Sequence, residues 1–283
     1  MILPRTIVMQ LINKYEDLDI SLIIDDSYRS KKRALLNKKI IRKVDFYKFI
    51  EETKTSTYTN FIILPYLTLN SLISIPSKRY SISFYNDIKF KKILYMKFTA
   101  FTMDNYISVE EVISKTVCDE IIFDLRDNGG GILNACLKML DLFLPEKEYL
   151  KLITKTGTQV ITSSSPYRMF SKIYIFLNEN TASCSEIFSL ALRKYLDNVF
   201  LIGEKTTSKD CTQHSIKNKL YGYIFTIEDS KWLVGNESAE SLSNYMKIDS
   251  GKRSYLNESD YLKQVLLIRN NGYENTLDSS LMC

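Results

Sequence analysis

Glycine, proline and histidine are all scarce in this 283-residue chain. It has 9 Gly and 5 Pro, and no glycine precedes Gly129. Any motif that depends on glycine must therefore take its glycines from residue 129 onwards. His214 is the only histidine, and no standard order of catalytic-triad residues favours it as a base.

Cysteines are few, and their spacing excludes two common uses. The five cysteines are odd in number and widely separated, at Cys118, Cys136, Cys184, Cys211 and Cys283. No pair has the spacing of metal ligands, so neither a zinc site nor a disulfide framework is predicted. We expect no metal and no other cofactor, and free thiols favour a reducing compartment.

The chain also lacks a strong charge of one sign and long apolar runs. Lys and Arg number 38 against 33 Asp and Glu, a small and dispersed surplus that does not predict a nucleic-acid partner. The apolar patch within residues 1–12 is too short to span a bilayer and has no small-residue cleavage site. With no membrane anchor or export signal visible, the expected location is the cytoplasm.

The N-terminal third predicts a small α+β module. Its short apolar runs alternate with polar turns, a pattern typical of strands. The predicted elements are strands at Ile20–Ile24, Lys39–Val44, Asn60–Leu67 and Arg79–Phe84, and a helix at Phe46–Thr53.

The rest of the chain predicts an α/β core in which a strand–turn–helix unit occurs twice. Each unit has a buried apolar strand, a polar turn and an amphipathic helix. The core strands are Ile93–Phe98, Glu120–Leu125, Ile173–Leu177 and Val199–Ile202, and a helix at Val109–Val117 is predicted with Ser108 as its cap. Because ligands bind at the carboxyl ends of strands in open α/β sheets, the two turns are the candidate site.

The second turn brings Ser183 to the start of a helix, within T-A-S-C-S-E at residues 181–186. A serine there is held by the backbone, and the unpaired N–H groups of the helix N-terminus suit a developing oxyanion. The alternative is structural, because Ser183 with Glu186 also forms a capping box.

The first turn, D-L-R-D-N-G-G-G at residues 124–131, carries three consecutive glycines. Glycines leave backbone N–H groups bare and permit positive φ, so this loop could supply a second oxyanion donor. It lacks the spacing of nucleotide-binding loops. The alternative is an ordinary tight turn.

A third stretch, G-E-K-T-T-S-K-D-C-T-Q at residues 203–213, offers a base in place of histidine. A lysine accepts protons when burial disfavours its ammonium form, and Ser–Lys pairs are a variant of the catalytic triad. The alternative for any one of these lysines is a surface charge.

In this order and spacing, the three stretches resemble the tail-specific (C-terminal processing) proteases, the S41-type serine peptidases. The patterns of that family are D-L-R-x-N-x-G-G, T-A-S-x-S-E and G-E-x-T-x-x-K-x-x-x-Q. The resemblance implies a crotonase/ClpP-like core and a Ser–Lys endopeptidase that cleaves a protein or peptide near its C-terminus without a cofactor. It assigns the nucleophile to Ser183, the base to Lys209, the orienting amide to Gln213, and the oxyanion N–H groups to Cys184 and to Gly130 or Gly129.

Two departures from the family accompany this resemblance. The family has glycines on both sides of the lysine, where this chain has Ser208 and Asp210. An acid at Asp210 is expected to favour the charged form of the neighbouring lysine. Cys184 also replaces a small residue.

The resemblance further implies a PDZ-like module. We assign residues 1–14 to an N-terminal segment, 15–90 to a degenerate PDZ-like module and 91–283 to the catalytic domain. PDZ domains bind peptides as an added strand, but the glycine-containing carboxylate loop is missing, so a structural spacer is the alternative.

Two other functions remain open, and the oligomeric state is not indicated. One is a catalytically inactive peptide-binding protein on the same fold. The other is a crotonase-type acyl-CoA enzyme, which also pairs strand–turn–helix repeats with oxyanion loops. The set Ser183, Lys209 and Gln213 argues against the acyl-CoA enzyme.

Overall fold

The computed structural model describes residues 1–64, 80–81, 93–164, 167–245 and 258–270. Its helices are α1 (Arg5–Leu18), α2 (Asp26–Leu36), α3 (Lys43–Thr53), α4 (Met103–Lys115), α5 (Leu133–Asp141), α6 (Cys184–Tyr195) and α7 (Glu258–Asn270), with a 3₁₀ helix at Ala239–Tyr245. Its strands are β1 (Asn60–Ile63), β2 (Tyr80–Ser81), β3 (Ile93–Phe98), β4 (Glu120–Asp124), β5 (Glu148–Thr154), β6 (Gly157–Thr162), β7 (Lys172–Leu177), β8 (Val199–Gly203), β9 (Cys211–Asn218) and β10 (Tyr223–Val234).

The chain forms two compact units and passes between them several times. The first unit comprises Met1–Arg79, Lys147–Thr162 and Lys209–Ser238, and the second comprises Tyr80–Glu146, Ser163–Ser208 and Ala239–Cys283. The predicted domain boundaries after residues 14 and 90, and the PDZ-like module between them, stay predictions.

The first unit is an antiparallel sheet packed against helices. Within the described residues, the strand order is β1-β10-β5-β6, with β9 paired to β10. Its core is rich in aromatic rings that meet edge to face, an arrangement that aromatic quadrupoles favour. The buried rings include Tyr15, Tyr28, Phe46, Phe49, Phe61 and Phe225.

Two strands predicted for this region are wrong. Ile20–Ile24 lies in the connection between α1 and α2, and Lys39–Val44 covers a turn and the first two residues of α3. Ile23 and Ile40 are 65% and 58% exposed, so these short apolar runs are not sheet faces. Short runs do not distinguish strand from loop or helix end.

Helical periodicity, rather than these short apolar runs, indicates the secondary structure of this region. The buried residues of α1 recur at the spacing of one helix face, at Val8, Leu11, Ile12 and Tyr15. The predicted helix at 46–53 is confirmed within α3. The predicted strands at 60–67 and 79–84 are confirmed where described, at Asn60–Ile63 and Tyr80–Ser81. Residues 65–67 of the first predicted strand, and residues 79 and 82–84 of the second, lie outside the described residues.

The second unit confirms the mixed α/β fold class. In the part of the chain that the structure describes, its sheet has the order β2-β3-β4-β7-β8. β3, β4, β7 and β8 are parallel, and β2 pairs antiparallel with β3. The more specific crotonase/ClpP-like assignment stays a prediction.

One helix in this unit begins and ends earlier than predicted. The helix expected at Val109–Val117 begins earlier, as α4, and its cap is Thr102, whose side chain accepts a hydrogen bond from the N–H of Asn105. Ser108, the predicted cap, lies inside the helix and donates to the carbonyl of Asp104. The apolar pattern indicated the inward face of α4 but missed its first turn, which is polar.

The two predicted turns lie at one edge of the sheet. β4 and β7 are parallel neighbours, with Asp124 paired to Phe176 near their carboxyl ends. The chain that leaves each strand therefore enters the same region.

None of the helices in the described ranges is long and apolar enough to cross a membrane.

Candidate active site

Ser183 lies in a strained turn at the start of α6. Its φ is 58° and its ψ is −118°, a region that non-glycine residues rarely occupy and that costs of order 1–3 kcal/mol. Its N–H donates to Oε2 of Glu186 at 2.6 Å, and its carbonyl accepts from the N–H of Glu186 at 2.8 Å. The bond from the Ser183 N–H to the Glu186 side chain is the half of the capping box that uses the backbone of Ser183, and with the backbone bond it holds the serine in its strained conformation.

Glu186 does more than cap the helix. Its side chain is completely buried, and Oε1 accepts hydrogen bonds from the Thr206 hydroxyl at 2.6 Å and from the Ser208 N–H at 2.8 Å. A buried carboxylate needs such donors. One side chain therefore ties the Ser183 turn to the segment that ends at Ser208, immediately before Lys209 in the sequence.

Asn128 joins the glycine loop to the Ser183 turn. Its carbonyl oxygen accepts from the N–H of Ala182 at 3.1 Å and from the hydroxyl of Ser185 at 2.9 Å. Its buried side chain donates to the carbonyl of Phe98 and accepts from the N–H of Gly130 at 3.0 Å. The loop is thus fixed on both sides, and Ser185 has a structural contact.

A second pair of contacts fixes the same two turns at the surface. Oδ1 of Asp127 accepts from the side-chain amides of Asn178 and Asn180, each at 2.9 Å. These bonds hold the pKa of Asp127 below its usual value. Asp127 is therefore an anion at neutral pH and can accept both bonds.

Gly130 is packed directly against the serine. Its φ is 100°, and a Cβ there would lie 2.8 Å from the Cβ of Ser183 and 3.0 Å from the nitrogen of Cys184. The structure therefore brings Ser183, Cys184 and Gly130 together. The N–H of Gly130 is directed to Asn128, whereas Cys184 is the first residue of α6, where N–H groups have no acceptor within the helix.

Replacing Gly130 with alanine is expected to lower stability by about 1–3 kcal/mol, because the added methyl meets backbone and Ser183 at a disfavoured φ. Thermal melting would measure the loss. Gly129→Ala is the matched control, since a Cβ at Gly129 has nothing within 4 Å, and it should melt near the wild-type temperature. A larger loss for Gly129→Ala would contradict the close approach at Gly130.

The end of β4 is fixed by an ion pair that sequence reasoning missed. Asp124 is fully buried and accepts from Nε and Nη2 of Arg126 at 2.7 and 2.5 Å, and from the Tyr95 hydroxyl at 2.5 Å. Burial alone would raise the pKa of Asp124, but the bonds from Arg126 and Tyr95 outweigh it and hold the pKa low. The signal was an acid that directly follows the buried apolar run Ile121–Phe123.

Arg126 is in turn covered by an aromatic ring. Its guanidinium lies 4.5 Å from the ring centroid of Tyr261 in α7, within the range of a cation–π contact. The hydroxyl of Tyr261 donates to the carbonyl of Leu177 at the end of β7. Tyr261 thus contacts both the residue that pairs with the end of β4 and the end of β7 itself.

In the first unit, the structure brings Lys209 and Gln213 together. Nζ of Lys209 donates to Oε1 of Gln213 at 2.5 Å, and Nε2 of Gln213 donates to the carbonyl of Tyr58 at 2.7 Å. The second bond fixes which end of the amide faces the lysine. Nζ also lies 5.3 Å from the ring centroid of Tyr58, and Tyr58 is a contact that sequence reasoning missed.

The backbone before Lys209 is also unusual. Ser208, which stands where the family has glycine, has a φ of 61°. A serine tolerates this conformation at a cost that glycine does not incur.

His214, the single histidine, is exposed on β9. That the site does not depend on His214 stays a prediction.

The chain resembles known proteins over its central part. Residues 92–240, more than half of the chain, match the profile of peptidase family S41. The protein named "Probable CtpA-like serine protease" of Staphylococcus aureus is 34% identical over 119 residues, which are 41% of this chain and 24% of that protein. The "Carboxyl-terminal-processing protease" of a Synechocystis strain is 32% identical over 125 residues, 42% of this chain and 29% of that protein.

The chain thus spans less than a third of the length of the relatives it matches. Among solved structures, a lipoprotein from Streptococcus agalactiae shares the fold, with a TM-score of 0.64 at 15% identity over 83% of this chain and 88% of the other. The profile match contains all three stretches that carry the predicted site. The chain belongs to peptidase family S41.

Proposed function

We propose that this chain is a serine endopeptidase that cleaves a protein or peptide substrate near its C-terminus. Family membership supports peptide-bond hydrolysis over acyl-CoA chemistry. The observation that carries the proposal is the strained Ser183 turn, which is braced by Glu186 and packed against Gly130 at a helix N-terminus. Strain of this kind persists where the surrounding structure imposes it, and it is common at active sites.

The proposed mechanism assigns one role to each residue. Nζ of Lys209 accepts the proton of the Ser183 hydroxyl, and Oγ attacks the substrate carbonyl. The N–H groups of Cys184 and Gly129 bind the oxyanion. Gly129 is preferred to Gly130 because the N–H of Gly130 already has an acceptor in Asn128. The protonated lysine then donates to the leaving amine, and water releases the acyl group from Ser183 by the same route.

Gln213 is proposed to orient the base. Its amide is fixed by Tyr58, so its oxygen holds one N–H of Lys209. A neutral amine that donates this bond keeps its lone pair for the serine proton. The C-terminal preference rests on the name of the Synechocystis relative and on the resemblance of the motifs.

A fluorophosphonate probe tests the proposal without a known substrate. Such probes phosphonylate activated serines, so mass spectrometry is expected to find the adduct on Ser183, and Ser183→Ala should lose it. Ser185→Ala is the matched control and should still label at Ser183. A folded chain that binds peptides but does not label would instead favour the inactive peptide-binding alternative.

A further inference from the structure

Lys231 on β10 lies between two carboxylates, one of which, Asp210, directly follows the proposed base in the sequence. Its Nζ is 3.0 Å from Oδ1 of Asp210 and 3.0 Å from Oε1 of Glu228. Lys231 pairs across the sheet with Cys211, and the N–H of Trp232 donates to the carbonyl of Asp210. Backbone pairing therefore sets Lys231 opposite Cys211, which is two residues after Lys209 in the sequence.

The two acids differ in their need for a counterion. Glu228 is 1% exposed, whereas the Asp210 side chain is 37% exposed. A half-exposed ion pair adds little stability, but a buried anion without a counterion is costly. Glu228 also accepts from the Ser56 hydroxyl, and the buried Asp19 lies close enough for Glu228 to help raise its pKa, after burial itself.

The charges of Asp210, Glu228, Lys231 and Lys209 all act on the thiol of Cys211. Burial, and then the Glu228 carboxylate, raise the pKa of its thiol to about 12, while Lys209 and Lys231 act in the opposite direction. The thiol is therefore neutral at working pH. The titratable and charged groups around Cys211 and Lys209 in the described residues include Asp210, Glu228 and Lys231, which act on the Cys211 thiol together with Lys209, and Tyr58, whose ring lies against Nζ of Lys209.

Lys231 is a cation at every pH at which the enzyme would be assayed. Burial alone would lower its pKa, but the bonds to Asp210 and Glu228 outweigh burial and raise it. Asp210 follows Lys209 directly, and the Glu228 carboxylate acts on Cys211, two residues after Lys209. Uncompensated anions at these positions would favour the ammonium form of a lysine, which cannot accept a proton. A cation that pairs with both carboxylates, as Lys231 does, offsets their negative charge.

We propose that Lys231 is a positioning residue that neutralises Asp210 and Glu228 so that the neighbouring Lys209 can act as a base. The proposal rests on the proposed function of Lys209. It also accounts for an acid at Asp210 beside the base, where the family has glycine, because this chain supplies the compensating cation from β10.

The test is the pH dependence of kcat/KM for peptide hydrolysis in the full chain. If Lys209 acts as the base, kcat/KM should rise with pH as Lys209 loses its proton. Lys231→Met is expected to displace this rise to higher pH by about one unit, which is about a tenfold loss at a fixed pH below the midpoint of the rise. Lys231→Arg should keep the wild-type profile. Asp210→Asn, at a half-exposed site that can tolerate it, should displace the rise to lower pH, and Lys231→Met with Asp210→Asn should recover part of the loss.

A structural role would give a different pattern. If Lys231→Met lowered kcat/KM equally at all pH values, and Asp210→Asn left the profile unmoved, the proposal would be wrong. Lys217→Met removes an exposed lysine from β9 and should leave the profile unchanged. Should Lys231→Met not fold, Asp210→Asn and Lys231→Arg still decide the question.

A second readout separates this proposal from the proposed function. The rate at which acetic anhydride modifies Lys209, followed by mass spectrometry across pH, reports its protonation without any turnover. It should shift to higher pH in Lys231→Met and to lower pH in Asp210→Asn. Wild-type protein with no hydrolysis and no fluorophosphonate label would reject the peptidase, whereas an unmoved reactivity profile would reject the role of Lys231.

Discussion

Ser183→Ala is expected to abolish peptide hydrolysis, with a fall in kcat/KM of about 10⁴-fold or more, because the proposed reaction has no nucleophile without Oγ. The fold should survive. The contacts that hold the turn use the backbone of Ser183 and the Glu186 side chain, and alanine keeps both. Loss of a cap costs only about 0.5–2 kcal/mol. Quenched fluorescent peptides with free C-termini would measure turnover, and thermal melting would measure stability.

Ser185→Ala is the control for that loss. Ser185 is also a serine of the T-A-S-C-S-E stretch, and it is completely buried, with its hydroxyl donated to the carbonyl of Asn128. Its removal should lower stability by about 1 kcal/mol and leave substantial turnover. If Ser185→Ala ended turnover and Ser183→Ala did not, the assignment of the nucleophile would be wrong.

Sequence reasoning succeeded where structure is local. The strand β4, the glycine turn, the strand β7 and the helix α6 were predicted because each has its own signal in the sequence. A buried run, a polar turn and an amphipathic helix follow one another within about 20 residues. It failed in the first 44 residues, where Ile23 and Ile40 are exposed and only packing against the aromatic core decides which short apolar runs are buried.

The same limit applies to the candidate site. Glu186 was recognised only as a helix cap, because that contact spans three residues. Its bonds to Thr206 and Ser208 join positions about twenty residues apart, and no periodicity reveals them. Tyr58 contributes to Lys209 and Gln213 from more than 150 residues away. The motifs therefore identified residues for chemistry, and the fold added the residues that hold them in place.

Lys209→Arg is expected to be as inactive as Lys209→Ala, with both losing about 10³-fold or more in kcat/KM. Arginine keeps the positive charge and most of the length, but a guanidinium does not deprotonate in proteins and cannot take the serine proton. This substitution therefore separates proton transfer from mere electrostatic attraction. Gln213→Ala should cost less, about 10- to 100-fold, since the base remains and only its orientation by the Tyr58-anchored amide is lost.

Two matched variants make the lysine result specific. Lys205→Arg changes an exposed lysine of the same segment and should retain normal turnover, and His214→Ala removes the single histidine and should do the same. Melting temperatures would confirm that all variants fold. Near-normal turnover in Lys209→Arg would show that the lysine acts as a fixed charge rather than a base. Loss of turnover in His214→Ala, with Lys209→Ala still active, would instead move the base to the histidine.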